Sequence, residues 1–380
     1  MNEREPKPEI KKGLKNVYID KTKSSFIDGK QGKLIYRGYN IHDLASKSTF
    51  EEIVYLLING DLPDKEELNK IDLELKSNRQ INKEILSVIQ SMKNSHPMDV
   101  LRTCMSLLSA SDSNPDDISI ENAKRIGFRI TAILPTIVAT HHRLRNGQQP
   151  IQPNAQLTHA ENFLYMLSGE IPDPRDAKLI DKDLILHAEH GVNASSFAAR
   201  VAASTRADFY SSMTAAISTL KGPLHGGAAE GVMKMTLEIG NEENASDYVA
   251  KVRQSGGRVM GFGHAVYKAV DPRSVHLKDE AKALGERLGQ PKWFSILEAV
   301  TKVMEPYARR GLYPNVDFWA GAVYYLLEIP EDLFIPLFAM GRIPGWTIHI
   351  IEQYESKGIL RPRLYYDGPM DMEYKPVEDR

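Results

Sequence analysis

The stretch Ser48-Thr49-Phe50-Glu51-Glu52-Ile53-Val54-Tyr55-Leu56-Leu57-Ile58-Asn59-Gly60-Asp61-Leu62-Pro63 sets the fold class. Two capping-box patterns overlap at its start, Ser48-x-x-Glu51 and Thr49-x-x-Glu52. Apolar residues then recur at helical spacing, and Gly60 supplies the stop. Pro63 restarts a second helix through Glu66, Leu68 and Ile71, since proline suits a first turn. The same periodicity recurs near 82–92, 98–110, 121–144, 158–168, 182–220, 226–239, 245–254, 275–288, 292–309, 317–328 and 332–355. Pro135 is expected to kink or divide its segment. Strand signals are confined to Ser25-Phe26-Ile27 and Lys33-Leu34-Ile35-Tyr36, with Asp28-Gly29 between them as a hairpin signal. The sequence therefore predicts an all-α fold with a small N-terminal β element.

Two breaks suggest domains. Gly222-Pro223 interrupts a long helical pattern, and Ile329-Pro330 separates two others. Residues 221–329 then form a small inserted domain. The large domain is made from residues 1–220 and 330–380.

Composition narrows the chemistry. Lys+Arg 48 against Asp+Glu 50 gives a formal charge of −2, which argues against a protein that lives on neutralising nucleic-acid phosphates. Cys104 is the single cysteine, so an intrachain disulfide and a cysteine-rich zinc module are excluded. Eleven histidines direct attention to imidazole. The N-terminal Met-Asn-Glu-Arg-Glu-Pro-Lys-Pro-Glu lacks the apolar core of a signal peptide. No run reaches the ~18–20 apolar residues of a membrane span. A cytoplasmic protein is the expectation.

Five segments join glycine or proline to ionisable side chains. In Ala188-Glu189-His190-Gly191, His187 and His190 stand three apart on one helical face, without a third metal ligand in register. Taken alone, His190 reads as a hydrogen-bonded core or helix-end histidine ahead of a metal ligand. In Gly222-Pro223-Leu224-His225-Gly226-Gly227, a turn puts His225 just before a helix start. There the dipole disfavours imidazolium, which suits a neutral hydrogen-bond donor, though an ordinary cap fits too.

The third segment, Met260-Gly261-Phe262-Gly263-His264, continues to Lys268 and Asp271-Pro272-Arg273. Its glycines miss the dinucleotide fingerprint but let backbone approach a ligand. In Pro314-Asn315-Val316-Asp317, the carboxylate is either a helix cap or a base made stronger by desolvation, and the helix dipole would oppose that. Arg342, in Met340-Gly341-Arg342-Ile343-Pro344, sits in an apolar helical region with no acid three or four positions away. A bound carboxylate would supply the missing charge, and Arg361-Pro362-Arg363 offers further guanidinium forks.

Taken in order, Gly-Pro-Leu-His-Gly-Gly, Gly-Phe-Gly-His, Asp-Pro-Arg, Pro-Asn-Val-Asp and Arg-Pro-Arg resemble the citrate synthase family, most of all its short bacterial and archaeal members. The likeness spans nearly the whole chain. It implies an α-helical homodimer whose two domains close over substrate, and an acyltransferase that needs no cofactor and no metal. The reaction implied joins acetyl-CoA to oxaloacetate and hydrolyses citryl-CoA to citrate and CoA.

By motif position, Asp317 matches the base, His225 the group that stabilises the enol, and His264 the group that polarises the oxaloacetate carbonyl. His190, Arg273 and Arg342 match the oxaloacetate cage, and Arg361 an arginine reaching in from the partner subunit. Met260, Gly261, Phe262, Gly263 and Lys268 match the CoA site. Ala265 stands where many short relatives carry arginine, so that phosphate contact differs. The chain is shorter than the larger, NADH-inhibited members, which implies a plain dimer. The alternative within the family is 2-methylcitrate synthase, which uses propionyl-CoA. The alternative outside it is a silent CoA-binding helical protein, but every catalytic and arginine position is filled.

Overall fold

The computed structural model describes residues 8–14 and 16–380. The N-terminal residues 1–7, which carry most of the segment read as lacking a signal peptide, lie outside the described residues. Among the described residues there are sixteen α-helices and one small sheet, so the chain is all-α as its periodicity predicts.

Strands β1 (Ser25–Asp28), β2 (Lys33–Tyr36) and β3 (Tyr39–Asn40) form an antiparallel meander. Phe26 pairs with Ile35, and Tyr36 with Tyr39. The two-residue β3 is too short to give a sequence signal. Asp28 Oδ1 accepts from the N–H groups of Lys30 at 2.8 Å and Gln31 at 3.0 Å, which closes the longer hairpin turn.

The helices run α1 (Ile41–Lys47), α2 (Phe50–Asn59), α3 (Lys65–Ser77), α4 (Lys83–Ser91), α5 (Pro97–Leu107), α6 (Ile120–Arg145), α7 (His159–Ser168) and α8 (Pro174–His187). Then come α9 (Ala194–Ser204), α10 (Phe209–Leu220), α11 (Ala228–Ile239), α12 (Ala245–Gln254), α13 (Ser274–Arg287), α14 (Lys292–Met304), α15 (Val316–Leu326) and α16 (Phe334–Ser356).

Local chemistry explains the ends and corrects some readings. Of the two overlapping capping boxes, Thr49 with Glu52 is the one formed. Glu51 instead turns inward and accepts the His159 N–H at 2.8 Å. Asp64, not Pro63, caps α3. The single pattern over 182–220 is three helices. Asn193 caps α9 by accepting from Ser195 and Ser196 N–H, and Asp208 caps α10. His187 therefore ends α8 while His190 lies beyond it, so the two do not share a helical face. Pro135 does not divide α6, which runs unbroken for 26 residues.

Helix α16 is the spine of the molecule. The segment Glu331–Ser356 is long and apolar enough to cross a membrane, but 94% of its apolar window is buried inside the protein. Small residues let other backbones approach it. A Cβ on Gly345 would stand 2.2 Å from the Ala188 carbonyl oxygen, and one on Gly341 3.1 Å from that of Leu184. On α6, a Cβ at Gly127 would stand 2.4 Å from the Thr347 side chain. These close crossings seat Arg342 directly beside the C-terminal end of α8.

Candidate active site

Two loops are zipped together ahead of α15. Gly263 N–H donates to the Tyr313 carbonyl at 2.9 Å, and Asn315 N–H to the Gly261 carbonyl at 2.9 Å. The Asn315 amide donates to the Gly263 carbonyl at 3.1 Å. Gly261 has φ +74°, and a Cβ there would lie 2.7 Å from both Phe318 and Val232. Only glycine combines that backbone with that crowding. The zipper ties His264, on one loop, to Asp317, in the first turn of α15.

Asn315, not Asp317, caps α15, since its side-chain oxygen accepts the Asp317 N–H at 3.1 Å. The Asp317 carboxylate is thus left free of a capping role. Burial raises its pKa, with help from Asp271 and Asp183, against the opposing pull of His187 and Arg273. Desolvation therefore outweighs the nearby positive charge, and the carboxylate is a stronger base than an exposed one.

His264 Nδ1 accepts two backbone N–H groups, from Val266 at 3.0 Å and Tyr267 at 3.2 Å. The ring proton therefore sits on Nε2, which is left as the free donor. Burial, then Arg273, pushes its pKa down to about 4. The hairpin braces this loop from outside. Lys268 N–H donates to the Gly29 carbonyl at 2.8 Å, and a Cβ on Gly29 would meet the Val266 carbonyl oxygen at 2.3 Å.

His225 lies in the turn before α11. Its Nε2 accepts from the Ser195 N–H at 3.3 Å and is 2.7 Å from Ser195 Oγ, which leaves the proton on Nδ1. Trp346 Nε1 donates to the same Oγ at 3.0 Å. Burial, then Arg342, brings the His225 pKa down to about 4. His225 and His264 are two neutral histidines with opposite donor nitrogens.

The cations cluster beneath. Arg342 is 1% exposed and donates from Nε to the His187 carbonyl at 2.5 Å. Its guanidinium lies 4.7 Å over the Phe338 ring. Among the described residues no carboxylate forms an ion pair with it, and burial lowers its pKa to about 10 despite the nearby Glu189. Arg273 differs. Asp271 takes its Nε at 3.0 Å and its Nη2 at 2.8 Å. Burial alone would weaken that cation, but the Asp271 pair reverses the effect and raises its pKa. His190 completes the cluster, its ring edge-on to His264 at 4.9 Å.

Other sequence candidates fall further out. Met260, Phe262 and Gly263 are partly exposed, Gly261 is buried, and Lys268 is exposed with Nζ 3.2 Å from the His264 carbonyl. Arg361 lies on an extended, exposed C-terminal tail. Among the described residues no group of three His, Cys, Asp or Glu could hold a metal ion. A separate cavity of ≈ 650 Å³ contains none of the site residues, and its wall carries Glu230, Glu328, Glu331 and Asp332. That acidic wall would repel an anionic ligand. The sequence reading missed Ser195, Tyr267 and Trp346. Only Ser195 had a local signal, the Asn193-x-Ser195 cap; the others are defined by contacts across the fold.

The half-buried neutral histidines link stability to pH. Between about pH 4, the folded value for His264, and about 6.5, its unfolded value, the unfolded chain binds more protons. Stability then falls as pH falls through that window. His264→Gln removes this contribution. Its urea midpoint should drop less than that of the unmodified protein between pH 7 and pH 5. An equal or larger drop would contradict a neutral, half-buried His264.

Comparison with known proteins agrees with this geometry. The family model "Citrate synthase, C-terminal domain" matches residues 13–363. A citrate synthase of Deinococcus radiodurans is 44% identical, covering 98% of this chain and 99% of its own. A 2-methylcitrate synthase of Corynebacterium glutamicum is 41% identical, covering 98% and 99%. The citrate synthase of Thermoplasma acidophilum, solved as a ternary complex with carboxymethyl coenzyme A and oxaloacetate, superposes with a TM-score of 0.93 at 31% identity, covering 98% of this chain and 100% of that one. With the zipped loops, the opposed histidines and a matched span of nearly its whole length, this chain belongs to the citrate synthase family.

Proposed function

We propose that the chain joins acetyl-CoA to oxaloacetate and hydrolyses the resulting citryl-CoA to citrate and CoA. The observation that carries the reading is a desolvated, uncapped carboxylate at Asp317 tied by the loop zipper to an Nε2–H donor at His264. A thioester methyl is a poor acid. Its proton leaves only if a base and an oxygen-stabilising donor act together.

Asp317 takes the methyl proton while His225 Nδ1–H hydrogen-bonds the thioester oxygen. The enol carbon attacks the oxaloacetate ketone carbon. His264 Nε2–H polarises that ketone and protonates the new alkoxide oxygen. Water then cleaves the thioester, releasing CoA as the thiol. Acid–base help of this kind typically gives ~10²–10⁴-fold.

Arg273, Arg342 and His190 hold the two carboxylates of oxaloacetate, and both arginines draw electrons from the ketone. The 260–264 segment and Lys268 receive CoA. Residues 221–329 act as a small domain that closes on residues 1–220 and 330–380 and keeps water out during condensation. The enzyme works in the cytoplasm as a homodimer, with no cofactor. Arg361 extends to the partner's site, a role supported by its exposed, extended tail.

Release of free thiol on mixing acetyl-CoA with oxaloacetate tests the reaction. Release should require both substrates and fall by at least about a hundredfold in Asp317→Ala. Oxaloacetate-independent release, or near-normal turnover in the variant, would contradict it. Propionyl-CoA in the same assay should give a lower kcat/KM, because one methylene is worth ~1–3 kcal/mol in a pocket. For Arg361, heterodimers of Arg361→Ala and Asp317→Ala chains should regain about half of full activity, one intact site of two, if Arg361 acts across the interface. If it acts across the interface, each mixed dimer places both lesions in one site and leaves the other intact, so activity reappears. If it acts within its own site, both sites are damaged and none does.

A further inference from the structure

Tyr267 is not among the residues the reaction reading uses, yet it touches both site histidines. It is 1% exposed. Its backbone N–H is one of the two donors that hold His264 Nδ1, at 3.2 Å. Its hydroxyl lies 3.1 Å from His190 Nε2. The three rings form a closed triangle, with His190–His264, His264–Tyr267 and His190–Tyr267 centroids at 4.9, 4.8 and 5.3 Å.

The direction of the phenol bond follows from charge. His190 faces Arg273 and His264 from the 264–273 segment and Arg342 from α16, with Glu189 next to it in the chain. Burial and these cations hold the imidazole neutral, so one nitrogen carries the proton and the other a lone pair. Among the described residues the Tyr267 hydroxyl has no other hydrogen-bond acceptor, so its proton is directed at His190 Nε2 and the ring proton is left on Nδ1. Nε2 is then the acceptor and the tyrosine hydroxyl the donor. Burial also keeps that phenol protonated, as a donor must be.

We infer that Tyr267 is a positioning residue for oxaloacetate: its hydroxyl donates to His190 Nε2 and fixes the tautomer and tilt of that ring, while its N–H fixes the donor nitrogen of His264. One residue thereby sets the hydrogen-bonding state of both imidazoles on the ketone side of the site. The inference rests on the reading of His190 as an oxaloacetate contact. Without the hydroxyl, His190 Nε2 loses its partner in a nearly dry pocket. The ring is then free to turn or to take up a proton against Arg273 and Arg342.

The test is Tyr267→Phe, which keeps the ring and the backbone N–H and removes only the hydroxyl. A net hydrogen bond of ordinary strength corresponds to about a three- to tenfold rise in oxaloacetate KM. The acetyl-CoA KM should move by less than about twofold, a split that general loosening of the fold would not produce. In the substrate-free protein, histidine-selective ¹⁵N NMR should show an unprotonated His190 Nε2 at pH 7. In Tyr267→Phe that resonance should shift and its titration midpoint should move to higher pH. His190→Gln assigns the resonance.

An unchanged oxaloacetate KM in Tyr267→Phe would overturn the proposal. So would identical His190 spectra in the two proteins, or a protonated Nε2 in the unmodified one; this last result needs no variant to fold. An unchanged oxaloacetate KM in His190→Gln would instead strike the functional reading on which the proposal rests, whatever the spectra show.

Discussion

The site turns on one buried cation, Arg342, whose charge is offset only in part, by the nearby buried Glu189. Arg342 sits inside the most buried helix of the protein, 1% exposed, beside a carbonyl and over an aromatic ring, with no carboxylate paired to it among the described residues. A guanidinium in such a place costs several kcal/mol relative to water unless an anion joins it. The depressed pKa of about 10 is the same cost seen from the proton's side. On the proposed reading, an anionic substrate would offset it on binding. Arg273 shows the opposite solution, since Asp271 keeps it paired in the absence of substrate. The cage therefore combines a cation that is satisfied in advance with one that is not.

Geometry follows from how the chain brings that charge to the chemistry. Glycines on α16 let the end of α8 approach, which places Arg342 next to His187 and near His190. The zipper between 261–263 and 313–315 then holds the acid–base groups at a fixed spacing. Because His225 and His264 are neutral and already hydrogen-bonded through one ring nitrogen each, the proposed reaction would need little reorganisation as charge develops on a substrate oxygen. Ser195 does this for His225, and the 266–267 backbone for His264.

The sequence carried much of this and missed parts for identifiable reasons. Helix periodicity and caps are local, so most of the sixteen helices were legible. The merged segment 182–220 was not resolved because the breaks at Ala188–Asn193 and Thr205–Asp208 carry no proline, and only Gly191 among glycines. The sequence left Asp317 open between cap and base and did not single out Asn315, which hydrogen-bond geometry shows to be the cap of α15. The balance of burial against dipole at Asp317 is a tertiary quantity. The same holds for the Asp271–Arg273 pair and for Tyr267, whose hydroxyl meets a histidine 77 positions away. The motifs pointed to Asp317, His225 and His264 as candidates; the residues that orient them come from contacts that spacing does not encode.

The most direct test of this partly compensated charge compares Arg342→Gln with the unmodified protein in two measurements made together, the calorimetric Kd for oxaloacetate and the urea midpoint without ligand. The expected result is an affinity loss of at least about a hundredfold, in keeping with a lost charge-assisted contact to a carboxylate, with a midpoint that is unchanged or higher. A lower midpoint with unchanged oxaloacetate affinity would contradict it, because Arg342 would then serve the fold and not the anion.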